Sequence, residues 1–428
     1  QRSPLLAARD AARSVLLRLS LRASDAHAGG TRRRYLRRYS RAMQAILYVT
    51  IPFFALVWLG LLAARSGALP LDAVPGLNSF VLFFALPCML FRFGYTLPLS
   101  ELLDPVVITV YLLCALVIVV FTVAVTVSPR VPMKDAAFGA LVAAFPNSGF
   151  MGVPLLTAIA GTAAAGPVLS SLLCDVFITS SLCIALAQSR EDRDTRPAMG
   201  PGPGYAGVDS QVPDEIEEGA PMAARAAVMW RLIRATMGNP LPWSIALGAG
   251  FSALGVVLPV PIDRIVAMLG DAASPVALFT IGAVLWRSKV HAEELQDVHA
   301  SPDEDPVDPV RQATSRFAVA RHAASRGVRS QWQLLRPDLP VTLIKLFLHP
   351  LLVLVVGLGA RGMGAPLSGF QLAVLVLVAA LPSASNVSVL AERYRADSGR
   401  IARIIMSSTA LSFISFSLIA WSFGMQPR

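Results

Sequence analysis

Two short runs of this sequence place helix breakers and small polar residues together in apolar surroundings. The first is Phe145-Pro146-Asn147-Ser148-Gly149-Phe150-Met151-Gly152-Val153-Pro154, with two prolines and two glycines in nine residues. The second is Leu381-Pro382-Ser383-Ala384-Ser385-Asn386. Proline removes a backbone donor and clashes with the turn before it, so neither run can continue a straight helix. In hydrocarbon the freed backbone groups are tolerated only where protein or a wet cavity satisfies them. The chemistry on offer is binding rather than bond breaking. A half-helix N-terminus carries partial positive charge, and Asn147, Ser148, Ser383, Ser385 and Asn386 add short hydrogen-bonding side chains beside it. Together with Pro146, Gly149 and Pro382 they are the candidate site for a small anion. A kinked helix packed in a bundle accounts for one such run and accounts less well for two that match.

Ionisable residues inside apolar runs are the second candidate set, because they are costly there and mark function by default. Asp175 lies in the middle of SLLCDVFITS. Lys345 and His349 are four apart in IKLFLHPLL and share one helix face. Asp271 lies further along, near the start of its own apolar run. Lys345 is about 10 Å along its helix at 1.5 Å per residue and is placed to snorkel to the interface as well as to act inside. His349, followed by Pro350, suits a structural hydrogen bond at a kink equally well. Asp175 is too short to snorkel and needs a partner, a proton or an ion. These three are the coupling candidates, with Asp175 first.

The elements that must position these residues follow from composition. The chain has 428 residues, 55% hydrophobic and 15% charged, with a mean hydropathy of +0.60. Soluble domains carry about 25% charged residues, so an ordinary soluble enzyme, a disordered protein and a disulfide scaffold are excluded. Stretches of about 20 apolar residues span a membrane, and ten are found: 43–64, 74–93, 105–127, 136–160, 166–188, 240–260, 264–286, 339–359, 367–390 and 401–424. The breaks fall in the fourth and ninth. The chain divides into a basic tail (1–42), a first group of five spans (43–188), a polar linker (189–239), two spans (240–287), a polar insertion (288–336) that reads as a disordered loop, and three last spans (337–428).

The two groups of five repeat one another. Pro87-Cys-Met-Leu-Phe-Arg-Phe-Gly94 and Pro275-Val-Ala-Leu-Phe-Thr-Ile-Gly282 both read P-x-x-L-F-x-x-G, 188 positions apart, and the breaks at Pro146 and Pro382 are 236 apart. The offset grows by about the length of the second polar insertion. Because five is odd, the second group enters the membrane in the opposite sense, the inverted repeat found in many secondary transporters. The expected fold is therefore all-α and polytopic: about ten transmembrane helices as an inverted 5+5 repeat, with spans 4 and 9 broken and crossing.

The net charge of +10 is concentrated in the tail, where residues 1–41 hold eleven Arg against Asp10 and Asp25. Nothing outside the tail supports a nucleic-acid partner. Arg65, Arg130, Lys134, Arg393, Arg395, Arg400 and Arg403 fall on one side, together with both long loops. That side is expected to be cytoplasmic, in the plasma or bacterial inner membrane. The tail opposes this orientation, so it reads either as a targeting segment or as foreign to a mature protein that starts near Met43, and it is expected to be dispensable. Cys88, Cys114, Cys174 and Cys183 lie in apolar runs and are expected to be free thiols. No metal-ligand or cofactor motif is present.

FPNSGFMGVPLL resembles the fourth helix of the auxin efflux carrier family. LNSFVLFFALPCMLF is similar to its second helix and ASPVALFTIGAVL to its seventh; IKLFLHPLLVL and ALPSASNVSVLAERY resemble its eighth and ninth. The resemblance covers residues 43–424 apart from the two polar stretches. It implies ten helices, an inverted repeat, two crossed broken helices and secondary transport of small organic anions such as carboxylates or auxin-like acids. It also adds Asn78, in the second-helix motif, to the expected substrate contacts, and it implies that spans 1, 2, 6 and 7 form a scaffold for a mobile unit made of the rest. The expected partners are the anion, the lipid bilayer and, absent an acidic cluster suited to Na⁺, a proton or no coupling ion at all. A homodimer is compatible with the sequence without being specified by it. An intramembrane enzyme and a channel are the alternatives from other functional classes.

Overall fold

The structure is a computed structural model that describes residues 29–129, 131–188, 240–300 and 338–424. Every regular element among them is helical. In chain order these are α1 (Gly29–Arg65), α2 (Leu71–Thr96), α3 (Pro105–Thr126), α4 (Met133–Ala144), α5 (Ser148–Ala160), α6 (Thr162–Gln188), α7 (Pro240–Ala253), α8 (Val260–Ala300), α9 (Leu339–Gly362), α10 (Gly369–Ala379), α11 (Asn386–Arg393) and α12 (Ser398–Ser422). Seven helices among the described residues are long and apolar enough to cross a membrane, and α5, most of α7 and α10 are shorter apolar helices. Their outward faces are apolar too: Trp58, Val120, Met268 and Phe347 are all more than half exposed. A soluble protein would bury such side chains; a lipid-facing one has no reason to.

The starts of these helices are written in their capping residues. The Asp104 carboxylate accepts the Val106 and Val107 N–H groups at 2.9 and 3.2 Å, with Pro105 in the first turn of α3. Ser368 and Gln371 form a reciprocal capping box at α10. Asp397 caps α12 by accepting from Arg400 N–H.

The P-x-x-L-F-x-x-G glycines are contact points between helices. A methyl on Gly282 of α8 would strike the Val57 carbonyl of α1 and lie 2.6 Å from Leu61 N; one on Gly60 of α1 would strike the Phe279 carbonyl of α8. The same pair of contacts joins α2 to α7, where Gly94 meets Ile245 and Gly248 meets Phe91. All four positions of the α1–α8 contact recur 188 residues away in the α2–α7 contact, three with the same residue and Val57 matched by Ile245. Glycine is required here because two helix backbones touch with no side chain between them.

Three expectations change. The polar insertion does not begin as a loop: α8 runs unbroken to Ala300, because residues 288–300 (SKVHAEELQDVHA) contain no proline or glycine and carry a central run of good helix formers, Ala292 to Gln296. The tail is not separate from the first span, since α1 is helical from Gly29. The breaks are also placed slightly differently. Helix is lost only at 145–147 of the run that extends to Pro154, because Ser148 and Gly149 already belong to a π-helical turn (Ser148–Gly152) that opens α5. In the second run it is lost at 380–385, and Asn386 is the first residue of α11. The linker 189–239, the rest of the insertion, the first 28 residues and the last four lie outside the described residues.

Candidate functional site

The two breaks meet. Pro146 and Ser383 form an isolated antiparallel bridge. Asn147 N–H donates to the Pro382 carbonyl at 2.8 Å, and Ala384 N–H donates to the Phe145 carbonyl at 3.0 Å. Phe145 is extended (φ −88°, ψ 102°), as a residue preceding proline should be. The groups that proline takes out of the helix are thus satisfied by the other break. Ser383 completes the lock: its hydroxyl donates to the Val142 carbonyl at 2.7 Å, and its N–H donates to Ser408 Oγ of α12 at 3.2 Å. Gly152 lets Leu381 close over α5; a methyl there would lie 2.8 Å from Leu381 Cδ1.

Of the residues expected at the site, Pro146, Asn147, Ser148, Gly149, Pro382, Ser383 and Ser385 are all buried at this crossing, and Asn386 is half-buried beside it. Their roles differ. Ser383 is a strut, its hydroxyl already engaged. Asn147 presents its backbone carbonyl to the N–H groups of Met151 and Gly152 at 3.1 and 2.9 Å. Its side-chain amide, like that of Asn386, makes no hydrogen bond among the described residues. Those two amides, with the Ser385 hydroxyl, are the uncommitted donors at the crossing among the described residues. Asn78 lies apart. It is in α2, eight residues before Leu86, whose side chain is 3.7 Å from where a Gly149 Cβ would be; that is about 12 Å along the helix.

A second polar cluster lies in the interior formed by α3, α6 and α9. Asp175 is fully buried and accepts from Tyr111 Oη at 2.7 Å and from Thr179 Oγ1 at 3.2 Å, one donor on each carboxylate oxygen. Lys345 and His349 are fully buried as well, with Lys345 Nζ 3.5 Å from His349 Nδ1. Lys345 lies within Coulombic range of Asp175. Burial removes the snorkelling option for Lys345. The His349 ring lies 6.1 Å from the Tyr111 ring and against the backbone of Ala143, in the last turn of α4 before the break. Its Nε2 makes no hydrogen bond of good geometry among the described residues and points toward the Ala143 backbone. Asp271, by contrast, is exposed and pairs with Arg92 at 3.1 Å across α8 and α2.

Both halves of this cluster stand on π-helical turns, Asp175–Thr179 in α6 and Ile344–Leu348 in α9. A π-turn inserts one residue into the helical ladder and re-aims the side chains around it, and such turns concentrate at functional sites. The sequence reading missed Tyr111, Thr179 and Ser408. Tyr111 left one usable signal, a lone tyrosine in the apolar run of the third span.

Comparison with known sequences meets this geometry. The profile of the family described as membrane transport protein matches residues 45–420. The chain belongs to the membrane transport protein family. This is the auxin efflux carrier family that the motifs around Pro87, Pro146, Pro275 and Pro382 resemble. Among curated members, a Rhizobium meliloti (strain 1021) protein named "Putative malonate transporter" is 25% identical over 375 residues, covering 86% of this chain and 93% of its own length. Membership in the family makes the chain a multi-pass membrane transporter. The match runs through α1 to α12 and includes both breaks and the buried cluster.

Proposed function

We propose that this transporter is a secondary carrier for a small organic anion, with a short dicarboxylate such as malonate as the leading cargo, and that it works by alternating access. The observation that carries this reading is the crossing. Two broken helices, fastened by backbone hydrogen bonds, point the N-termini of α5 and α11 into the middle of the bundle and leave the Asn147 and Asn386 amides uncommitted. Each helix N-terminus is worth about half an elementary charge. Two of them balance roughly one carboxylate without a basic side chain, which limits the cost of an anion at mid-membrane. The related protein named for malonate supports the choice of cargo.

The inverted five-plus-five repeat is part of the same proposal. It is supported by the 188-residue correspondence of the glycine contacts, which pairs α1–α8 with α2–α7. It is also supported by the two ends of the crossing unit. At one end Gln371, at the start of α10, donates to Asp104, at the start of α3, at 2.8 Å. At the other end α4 starts near Asp135, 236 residues before Gln371, where Asp338 receives Arg400 Nε at 3.2 Å and Arg403 Nε at 2.7 Å and Arg400 donates to the Asp135 carbonyl. In each case a broken span is tied by its first turn to the start of a helix from the other half. We assign α1, α2, α7 and α8 to a scaffold and the remaining helices to the moving unit, with the long loops on the cytoplasmic side. Asp175, Lys345 and His349 are proposed to govern coupling, and the proton is the proposed coupling ion.

The test is uptake of labelled malonate, malate and an auxin-like monocarboxylate into proteoliposomes, with and without a pH or Na⁺ gradient. Saturable uptake of one anion that accumulates against its gradient is expected. A flux that only dissipates gradients identifies a channel, and loss of the label to a product identifies an enzyme; either result refutes the carrier reading.

A further inference from the structure

The polar residues of the interior form two bonded groups near the crossing, His349 with Lys345 and Asp175 with Tyr111 and Thr179, which lie within Coulombic range of one another without a direct hydrogen bond. Ala143, two residues before the α4 break begins at Phe145, lies against His349; His349 meets Lys345; Lys345 faces Asp175; and Asp175 holds Tyr111 and Thr179. An ammonium only donates, so the Lys345–His349 contact requires Nδ1 to accept. With Lys345 as the donor, the ring proton sits on Nε2, on the side of the Ala143 backbone. Lys345 is itself short of acceptors, because this 3.5 Å contact is the one hydrogen bond its ammonium makes among the described residues. Asp175 and Lys345 are both fully buried; held as carboxylate and ammonium, each neutralises the other or an incoming charge.

We infer that Lys345 is contested by two anions, Asp175 in the empty carrier and a substrate carboxylate in the loaded one, and that Asp175 takes up one proton from solution when the substrate claims the cation. The inference rests on the carrier reading and gives it a stoichiometry of one proton carried with each anion. Charge decides the exchange. In the empty state the lysine and the aspartate sum to zero. Adding a carboxylate to that pair would leave a net buried negative charge, which a low-dielectric interior disfavours strongly. Protonating Asp175 restores neutrality, and the neutral carboxyl keeps its place between Tyr111 Oη and Thr179 Oγ1. The second carboxylate of a dicarboxylate is left to the α5 and α11 N-termini.

Among the described residues the titratable groups around Asp175 come from three helices, and the competitor for the proton is His349, whose Nδ1 is freed when the substrate takes Lys345. Tyr111 and Cys114 come from α3, Cys174 and Cys183 from α6, and Lys345 and His349 from α9. The titratable residues of α4, Lys134 and Asp135, lie in its first turn, and Arg400 and Arg403 of α12 are engaged by Asp338. In the empty carrier His349 is held on its Nδ1 side by Lys345. Tyr111 acts as a positioning residue, donating to the charged form of Asp175 and so holding it ready to release the proton again.

The test is calorimetric titration of the purified full-length carrier with malonate, in two buffers of different ionisation enthalpy, at a pH where malonate is fully ionised. About one proton taken up per malonate bound is expected, with Kd rising up to about tenfold per pH unit across the neutral range. Asp175→Asn should bind malonate with no proton uptake and a flat pH profile. Tyr111→Phe retains the aspartate and provides a second test: its uptake should persist while the pH midpoint of binding moves upward. Wild-type binding without proton uptake, undiminished uptake in Asp175→Asn or an unmoved midpoint in Tyr111→Phe overturns the inference and leaves the carrier reading standing. Failure of the wild type to bind or accumulate any carboxylate overturns both.

Discussion

Replacing Gly282 with alanine probes the tight backbone contact between α1 and α8. The new methyl would strike the Val57 carbonyl and lie 2.6 Å from Leu61 N and 2.9 Å from Val57 C. These are backbone atoms inside α1, so no rotamer change can make room. The two helices must part by roughly 1 Å, loosening every van der Waals contact along the α1–α8 seam. Overpacking of this kind costs about 1–3 kcal/mol. At about 2 °C per kcal/mol for a large chain, Tm should fall by roughly 2–6 °C. Gly94→Ala in the equivalent α2–α7 contact should cost less, since the next backbone atoms behind the Ile245 carbonyl are 3.1–3.2 Å away. Gly250, two residues past Gly248 and so on another side of α7, faces open space within 4 Å. Gly250→Ala should leave Tm unchanged or raise it slightly, because alanine is worth up to about 1 kcal/mol more than glycine in a helix. The assay is thermal unfolding of detergent-purified protein followed by size-exclusion fluorescence. If Gly282→Ala melts with the wild type, or if Gly250→Ala is as damaging, the account of these glycines as backbone contact points fails.

Asn147→Ala and Asn386→Ala each remove an uncommitted donor from the crossing, and a hydrogen bond to a charged group is worth about 1.5–3 kcal/mol. Each should therefore raise the Kd for the transported anion roughly ten- to a hundredfold; unchanged affinity in both variants would remove the crossing from the binding site and leave Lys345 as the anchor of the anion. Asp338→Asn strips the anion from two arginines where its own side chain is 2% exposed. Removing one member of a buried ion pair costs about 3–5 kcal/mol, so Tm should fall sharply, and a wild-type Tm would show that the arginines find other partners. Asp135 tests pH. Burial pushes its carboxyl above the usual carboxylate range, outweighing the Asp397 N–H bond and the nearby Arg400 and Lys134 charges. The folded protein then holds this proton to higher pH than the unfolded chain, whose value is about 4. Stability from this group should decline as pH rises from about 4 through the folded value and level off above it. In Asp135→Asn that slope should vanish from a plot of Tm against pH, and a slope identical to wild type would locate the titration elsewhere.

The residues that break the chain were visible without coordinates, because proline and glycine act on the backbone locally and hydrocarbon tolerates their effect only where something else compensates. Membrane residence was equally legible, since it needs only long apolar runs and few charges. The candidates Asp175, Lys345 and His349 could be named because ionisable groups in such runs are rare. What the linear pattern could not supply was partnership. The contact of Pro146 with Ser383 joins residues more than two hundred positions apart through backbone atoms, and backbone atoms carry no sequence label. Tyr111 reads as an ordinary amphipathic aromatic until α3 and α6 pack and set its hydroxyl 2.7 Å from Asp175. Asp338 looks like a loop acid before a span, and only the approach of α12 places two arginines on it. The edges of the breaks shifted for the same reason: whether Ser148 ends an unwound stretch or opens a π-turn depends on which groups across the crossing accept the freed hydrogen bonds. Local sterics set where the helices stop, and the packing of distant helices against one another decided what each freed group and buried charge would face.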